Sequence, residues 1–200
     1  MTLLLETDLR DCRARLVQAA AEVFVEEGYR ASLELVAARA GVARQTLYNY
    51  FPRKADLFSE VVRQSTEALL LMLDTKQQTL HARLLHFGVI YRERALSTAG
   101  LGLYRALAAE VLRFPEIAAS FYRNGQAQTT SRLSAMLKEA MAKGEIRYAS
   151  PEFAANLLLS MLVGDHGRYL FSGESSPGAD PEYVAQIIDC YLRVFAPVAA

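Results

Sequence analysis

The chain has 200 residues, 52% of them hydrophobic, and its 22 Lys and Arg balance 22 Asp and Glu to a formal net charge of zero. That neutrality argues against a protein that coats nucleic acid non-specifically, but it leaves room for one local basic surface. The two cysteines, Cys12 and Cys190, lie at opposite ends of the chain outside any C-x-x-C pair, which argues against a disulfide framework or a zinc site and for a reducing compartment.

The longest apolar run, Leu69-Leu70-Leu71-Met72-Leu73, is far below the roughly 18 residues that a membrane span requires. The opening stretch MTLLLETDLRDCRARL carries acidic residues within and after its apolar patch and has no small-residue cleavage site. No signal peptide is expected from it, so the expected location is the cytoplasm, with no membrane partner.

Helical periodicity runs along the chain and strand signals are scarce. Leu9, Cys12, Leu16, Val23 and Phe24 mark one face of a first helix, which should stop at Gly28. Ser32 offers an N-cap for a short second helix to Arg39, Gly41 breaks it, and a third helix follows from about Ala43 to Tyr50. From Lys54, the spacing of Phe58, Val61, Val62, Leu69 and Leu73 predicts a long fourth helix. Another is expected over about 77–95, an interruption at "STAG" (97–100), and a shorter helix to about Arg113. Pro115 opens a long helix ending near Gly144, and Ser150-Pro151-Glu152 restarts a helix that reaches about Phe171. The segment 172–181 has a loop composition, and a last helix fills 182 to about 196. The expected fold is all-α with about nine helices, divided into a helix-turn-helix domain (1–53) and a second helical domain (54–200).

One stretch stands apart in charge. AGVARQTLYNYFPRK (40–54) holds Arg44, Arg53 and Lys54 and no carboxylate. Two short helices joined by a Gly-containing turn make a helix-turn-helix. Leu47 and Phe51, four apart, share its buried face, which leaves Arg44, Gln45, Thr46, Tyr48, Asn49 and Tyr50 outward. Arg, Gln and Asn can make paired hydrogen bonds to base edges in the major groove, whereas Tyr, Thr and Lys hold phosphates and set register. A carboxylate among them would repel the DNA backbone. An ordinary helical hairpin with a solvated face would show the same spacing.

The order of "AAAEVFVEEGY", "VAARAGV", "TLYNYF" and "KADLF" over residues 10–58 closely resembles the N-terminal domain of the TetR family of transcriptional regulators. The resemblance implies base or phosphate contacts from Arg44, Gln45 and Thr46, and phosphate contacts from Tyr48, Tyr50 and Lys54; Asn49 stays a candidate from its outward position. The chain departs from the family at Ala43, where a Ser or Thr cap is usual. A stretch one residue shorter between Gly28 and Val36 is a second departure, and it offers Ser32 for a phosphate contact. "FPEIAASFYRNG" (114–125) and "LLSMLVGDHGRYLF" (158–171) look like the AefR-like C-terminal type.

The family pattern further implies a homodimer that reads a palindrome in double-stranded DNA, with a small-molecule effector bound inside the second domain. Helices 151–171 and 182–196 would form the dimer contact, with Leu158, Leu162, Ile187, Tyr191 and Val194 as apolar contributors and Gly164 and Gly167 as points of close approach. Burial in the chain's own core is the other reading of those five. Effector contacts are sought among Phe87, Tyr91, Tyr104, Phe121, Tyr122, Met161 and His166. Aromatic residues at helical spacing also suit a plain core, and His166 beside Asp165 fits a buried pair, a pocket lining or a surface group. His81 and His86, five apart, face different directions and make no metal site. No cofactor is expected. No catalytic residue emerges either, since G-x-S-x-G, a phosphate-binding Gly loop and H-E-x-x-H are missing, and Glu110 with Glu116 suits a solvated face. The expectation is a ligand-responsive, sequence-specific regulator, most often a repressor in this family. The alternative is a helical dimeric adaptor that binds a ligand or protein and has lost operator recognition.

Overall fold

The computed structural model describes residues 2–74, 79–164, 166–172, 174 and 180–197, with side chains from 11 onward apart from 72, 74 and 106. The expectations for Leu9, Asp165 and most of 172–181 lie outside these. All regular elements among the described residues are helices, with no strand.

Gly28, at φ 73°, ends α1 (Thr2–Glu27) in the left-handed conformation that side chains disfavour. Then come α2 (Leu33–Ala40), α3 (Arg44–Tyr50) and α4 (Lys54–Leu70), the last tightening into a 3-10 turn at Leu71–Asp74. Helices α5 (Leu80–Leu96) and α6 (Thr98–Glu110) are parted at Ser97 alone, so the expected break across 97–100 shrinks to one residue. The reason is local, because Ser97 Oγ accepts from Gly100 N at 3.0 Å and starts α6 at once. Helices α7 (Pro115–Phe121) and α8 (Ala127–Ala142) form one continuous run through a π-helical turn at Tyr122–Gln126, as the single long helix was expected. The run expected over 151–171 instead divides into α9 (Pro151–Val163) and α10 (His166–Phe171) around Gly164, a weak helix former. Counting α7 and α8 together gives ten helices among the described residues, in keeping with the expected all-α fold of about nine. Helix α11 (Pro181–Val194) closes the order, capped by Asp180, whose side chain accepts from Glu182 N at 3.0 Å.

The chain divides into two compact units, residues 1–65 with 102–124, and 66–101 with 125–200. In the first, Leu16, Val23, Phe24, Val36, Leu47, Leu57 and Phe58 are at most 1% exposed. Burying each such side chain contributes about 1.5–3 kcal/mol before entropy is counted. Phe24, Tyr29 and Phe58 form a cluster with ring centroids 5.5–5.9 Å apart. In the second, α5, α8, α9 and α11 enclose Leu84, Phe87, Leu133, Leu137, Leu158, Leu162, Val184, Ile188 and Tyr191. Gly88 makes the close approach there, since a Cβ built on it would lie 2.9 Å from Val184 Cγ1. Within the chain, a Cβ at Gly167 would meet nothing and one at Gly164 only its own helix, so neither is the tight point. Among the described residues, no helix is long and apolar enough to cross a membrane.

Candidate nucleic-acid interface

Helix α2 is held at both ends. Ser32 Oγ accepts from Leu35 N at 3.1 Å, and the Gly41 and Val42 N–H groups return to Ala38 O at 3.1 Å and Ala37 O at 3.0 Å. This pair of bonds is a Schellman ending, which needs a left-handed residue, and Gly41 supplies it at φ 66°. The turn therefore aims α3 by backbone geometry. Helix α3 itself starts at Ala43 with no side-chain cap, as the departure from the family pattern implies. Packing compensates, because Leu47 at 0% and Phe51 at 3% exposure anchor it, and the Arg13 guanidinium lies 5.4 Å from the Phe51 ring centroid.

With that face buried, the opposite one is presented outward. Arg44, Gln45 and Asn49 are exposed, while Thr46, Tyr48 and Tyr50 are half-buried. Gln45 Nε2 donates to Asn49 Oδ1 at 3.1 Å, so the two amides form one linked polar pair one helical turn apart. The Arg44 guanidinium sits 5.4 Å from the Tyr48 ring centroid. Ser32 is exposed on α2, with its hydroxyl used as the cap acceptor and its proton still available to donate. The outward set expected from sequence is thus brought onto α2, α3 and the start of α4.

Two features were not legible in the sequence. The carboxylate-free stretch does not remain carboxylate-free in space, because Glu34 of α2 holds Arg44 at 2.9 Å and Asp56 holds Arg53 at 2.6 Å. Exposed pairs of this kind are worth about 0–1 kcal/mol, so phosphates can displace them. The second concerns Lys54. It is half-buried, with Nζ 4.7 Å from the Tyr29 ring centroid, and burial lowers its pKa while the charges of Glu110 and Glu34 oppose the shift. A carboxylate seen to pair with Arg44 would require knowing how α2 crosses α3, which no local signal gives.

Glu110 corrects a further expectation. It is 6% exposed rather than solvated, ion-paired to Arg30, and its Oε2 has no hydrogen-bond partner among the described residues. The frame beneath α3 is tied by Glu60, which joins Arg13 of α1 to Arg63 of α4 at 2.8 and 2.7 Å and also accepts from Gln64. The Arg63 hydrogen bond, with those of Arg13 and Gln64, holds the Glu60 carboxyl at about 2, below the ordinary 4.5, against its burial.

The effector candidates fall in both units. Phe87 stacks on Tyr91 at 5.5 Å in the second, where Met161 packs against the core and His166 is half-buried. In the first, Tyr104 meets Phe121 edge-on at 6.5 Å, and Tyr122 is 58% exposed. Of the dimer candidates, Leu158, Leu162 and Tyr191 are 0% exposed, and Tyr191 Oη donates to Ala154 O at 3.1 Å, so they are enclosed by their own chain. Ile187 is half-buried and Val194 is 50% exposed, which leaves area on the outer face of α11. No cluster of three or more His, Cys, Asp or Glu that could hold a metal occurs among the described residues.

The family profile described as "Bacterial regulatory proteins, tetR family" matches residues 16–61, and that described as "AefR-like transcriptional repressor, C-terminal domain" matches residues 82–197. The HTH-type transcriptional regulator UidR of Escherichia coli K12 is 26% identical over 171 residues, covering 80% of this chain and 82% of that protein. The HTH-type transcriptional activator FasR of Mycolicibacterium smegmatis is 39% identical over 59 residues, covering 29% and 27%. Among solved structures, the flavonoid-responsive regulator FrrA superposes with a TM-score of 0.71 at 30% identity, covering 94% of this chain and 98% of FrrA.

Proposed function

The chain belongs to the TetR family of DNA-binding transcriptional regulators, with an AefR-like C-terminal domain, and from that premise we propose that it is a homodimeric, ligand-responsive repressor of a palindromic operator. Residues 1–53 serve as the DNA-binding domain and 54–200 as the ligand-binding and dimerisation domain, working in the cytoplasm. The observation that carries the reading is the outward face of α3, where Arg44, Gln45 and Asn49 are exposed above the buried Leu47.

Arg44, Gln45 and Asn49 read base edges, with Arg44 exchanging Glu34 for DNA. Ser32, Thr46, Tyr48, Tyr50 and Lys54 hold phosphates and set register. A single head of this size specifies too few base pairs, so two heads related by a two-fold axis read half-sites about one helical turn, or a multiple of it, apart. The exposed side of α11, with Tyr183, Ile187 and Val194, supports the dimer contact. Helix α4 carries Lys54 at its start and Leu69, a core residue of the second unit, near its end. An effector that favours one arrangement of that helix by about 1–3 kcal/mol changes DNA affinity roughly 5- to 150-fold. The aromatic candidates Phe87 and Tyr91, and the flavonoid response in FrrA's name, support an aromatic effector.

The test is selection of bound duplexes from fragmented genomic DNA of the source organism, with Tyr48→Ala as control and a set of flavonoids as candidate effectors. Enrichment of one palindrome that the variant loses is expected. A folded dimer that enriches nothing would favour the adaptor reading, which the uncapped start of α3 and the shortened stretch between Gly28 and Val36 support.

A further inference from the structure

The first compact unit contains a cleft of about 650 Å³ that the proposed reading of DNA bases does not use. Small-molecule sites commonly occupy about 300–1,000 Å³. Four basic side chains line this one, Arg30, Arg53, Lys54 and Arg113, against a single carboxylate, Glu116. Two of the four are already neutralised, Arg30 by the buried Glu110 and Arg53 by Asp56.

Lys54 and Arg113 are different. Neither belongs to an ion pair among the described residues, and each lies instead over an aromatic face. Lys54 Nζ is 4.7 Å from the Tyr29 ring centroid, and the Arg113 guanidinium is 5.4 Å from that of Phe114. The two rings are neighbours, with centroids 5.8 Å apart and planes tilted by 57°. The cleft thus joins a pair of adjacent aromatic walls to two cations that face one carboxylate, which leaves one positive charge uncompensated. A half-buried ammonium outside any ion pair is poorly solvated, and burial depresses the Lys54 pKa, although the charges of Glu110 and Glu34 oppose that shift. An incoming anion relieves that cost.

We infer that this cleft binds a small organic anion, a carboxylate or phosphate on a flat apolar or aromatic body, with Lys54 and Arg113 holding the charge and Tyr29 and Phe114 the body. Binding itself needs no DNA. Its consequence rests on the proposed function, since an anion that engages Lys54 withdraws it from the DNA backbone and weakens operator affinity.

The experiment is calorimetric titration of the full chain with benzoate and phenyl phosphate, and with benzyl alcohol as the uncharged comparison. Arg113→Gln and Lys143→Gln are run beside it, the latter an exposed charge in the second unit, with circular dichroism confirming that each is folded. One-to-one binding of at least one anion is expected, with benzyl alcohol about tenfold weaker, Arg113→Gln at least about fivefold weaker, and Lys143→Gln unchanged. No heat from either anion up to about 20 mM, or binding indifferent to Arg113→Gln, overturns the inference. So does a DNA titration in which Arg113→Gln lowers affinity and flattens the salt dependence while anion binding stays intact, because the cleft would then seat a DNA phosphate. Anion binding that depends on Arg113 in a protein that enriches no operator upholds the site and removes only its coupling to DNA.

Discussion

Replacing Glu60 by Gln removes the charge at the centre of the cluster that ties α1 to α4. The Glu60 side chain is 10% exposed and accepts from Arg13 at 2.8 Å, from Arg63 at 2.7 Å and from Gln64 at 3.0 Å. Its carboxyl is held at about 2, chiefly by the Arg63 hydrogen bond, against an ordinary 4.5. At 1.36 kcal/mol per unit, that depression sets a ceiling of about 3 kcal/mol at neutral pH. Arg13 and Arg63 are 41% and 48% exposed, so solvent screens the attraction. The expected loss in Glu60→Gln is therefore about 1–2 kcal/mol. Because the folded pKa is the lower one, the stabilisation is complete above the unfolded value and disappears as pH falls through the folded value. Urea denaturation of both proteins, followed by circular dichroism, should show the full gap near pH 7 and less than about half of it near pH 3. A gap of the same size at both pH values would refute the reasoning, as would none at neutral pH.

Glu34→Gln frees Arg44 and removes a negative charge beside the DNA face; affinity for the selected operator should rise about two- to fivefold in fluorescence anisotropy. A fall would mean that Glu34 orients Arg44 for binding. Gly41→Ala places a side chain at φ 66° with nothing within 4 Å, so its cost is backbone strain alone. Denaturation should show a loss of about 1–2 kcal/mol, and an unchanged midpoint would show that the turn relaxes. Leu158→Ala should cost about 2–5 kcal/mol through the cavity it opens in the chain's own core. Val194→Asp should instead leave the chain folded and shift sedimentation equilibrium towards monomer; a stable dimer in that variant would move the interface away from the outer side of α11.

Much of the frame is legible in local chemistry. Gly28, Gly41, Ser32, and Ser150 with Pro151 place helix ends from rules that act over a few residues, and the spacing of Leu47 and Phe51 gives the buried side of α3. The family's motif order does the rest for residues 10–58. What failed was equally local in cause. Ser97 restarts a helix with its own hydroxyl, and Gly164 weakens one that looked continuous, both within the reach of sequence but not of apolar periodicity.

Other properties exist only once distant segments meet. Glu34 lies outside the carboxylate-free stretch, and only the crossing of α2 with α3 sets it against Arg44, whereas Asp56 meets Arg53 three residues away at the start of α4. Leu158, Leu162 and Tyr191 are apolar whether they face their own core or a second copy, and packing against α5, α8 and α11 assigns them to the core. The cleft needs Tyr29, Lys54 and Arg113, residues far apart along the chain, to converge on one place. Sequence by itself determined that this is an all-α helix-turn-helix regulator, because propensity, capping and motif order are short-range. The tertiary structure alone decided that Glu34 meets Arg44 and Glu110 meets Arg30, which apolar residues are enclosed and where Lys54 and Arg113 stand outside any ion pair among the described residues, because burial and Coulomb interactions depend on distance in space rather than along the chain.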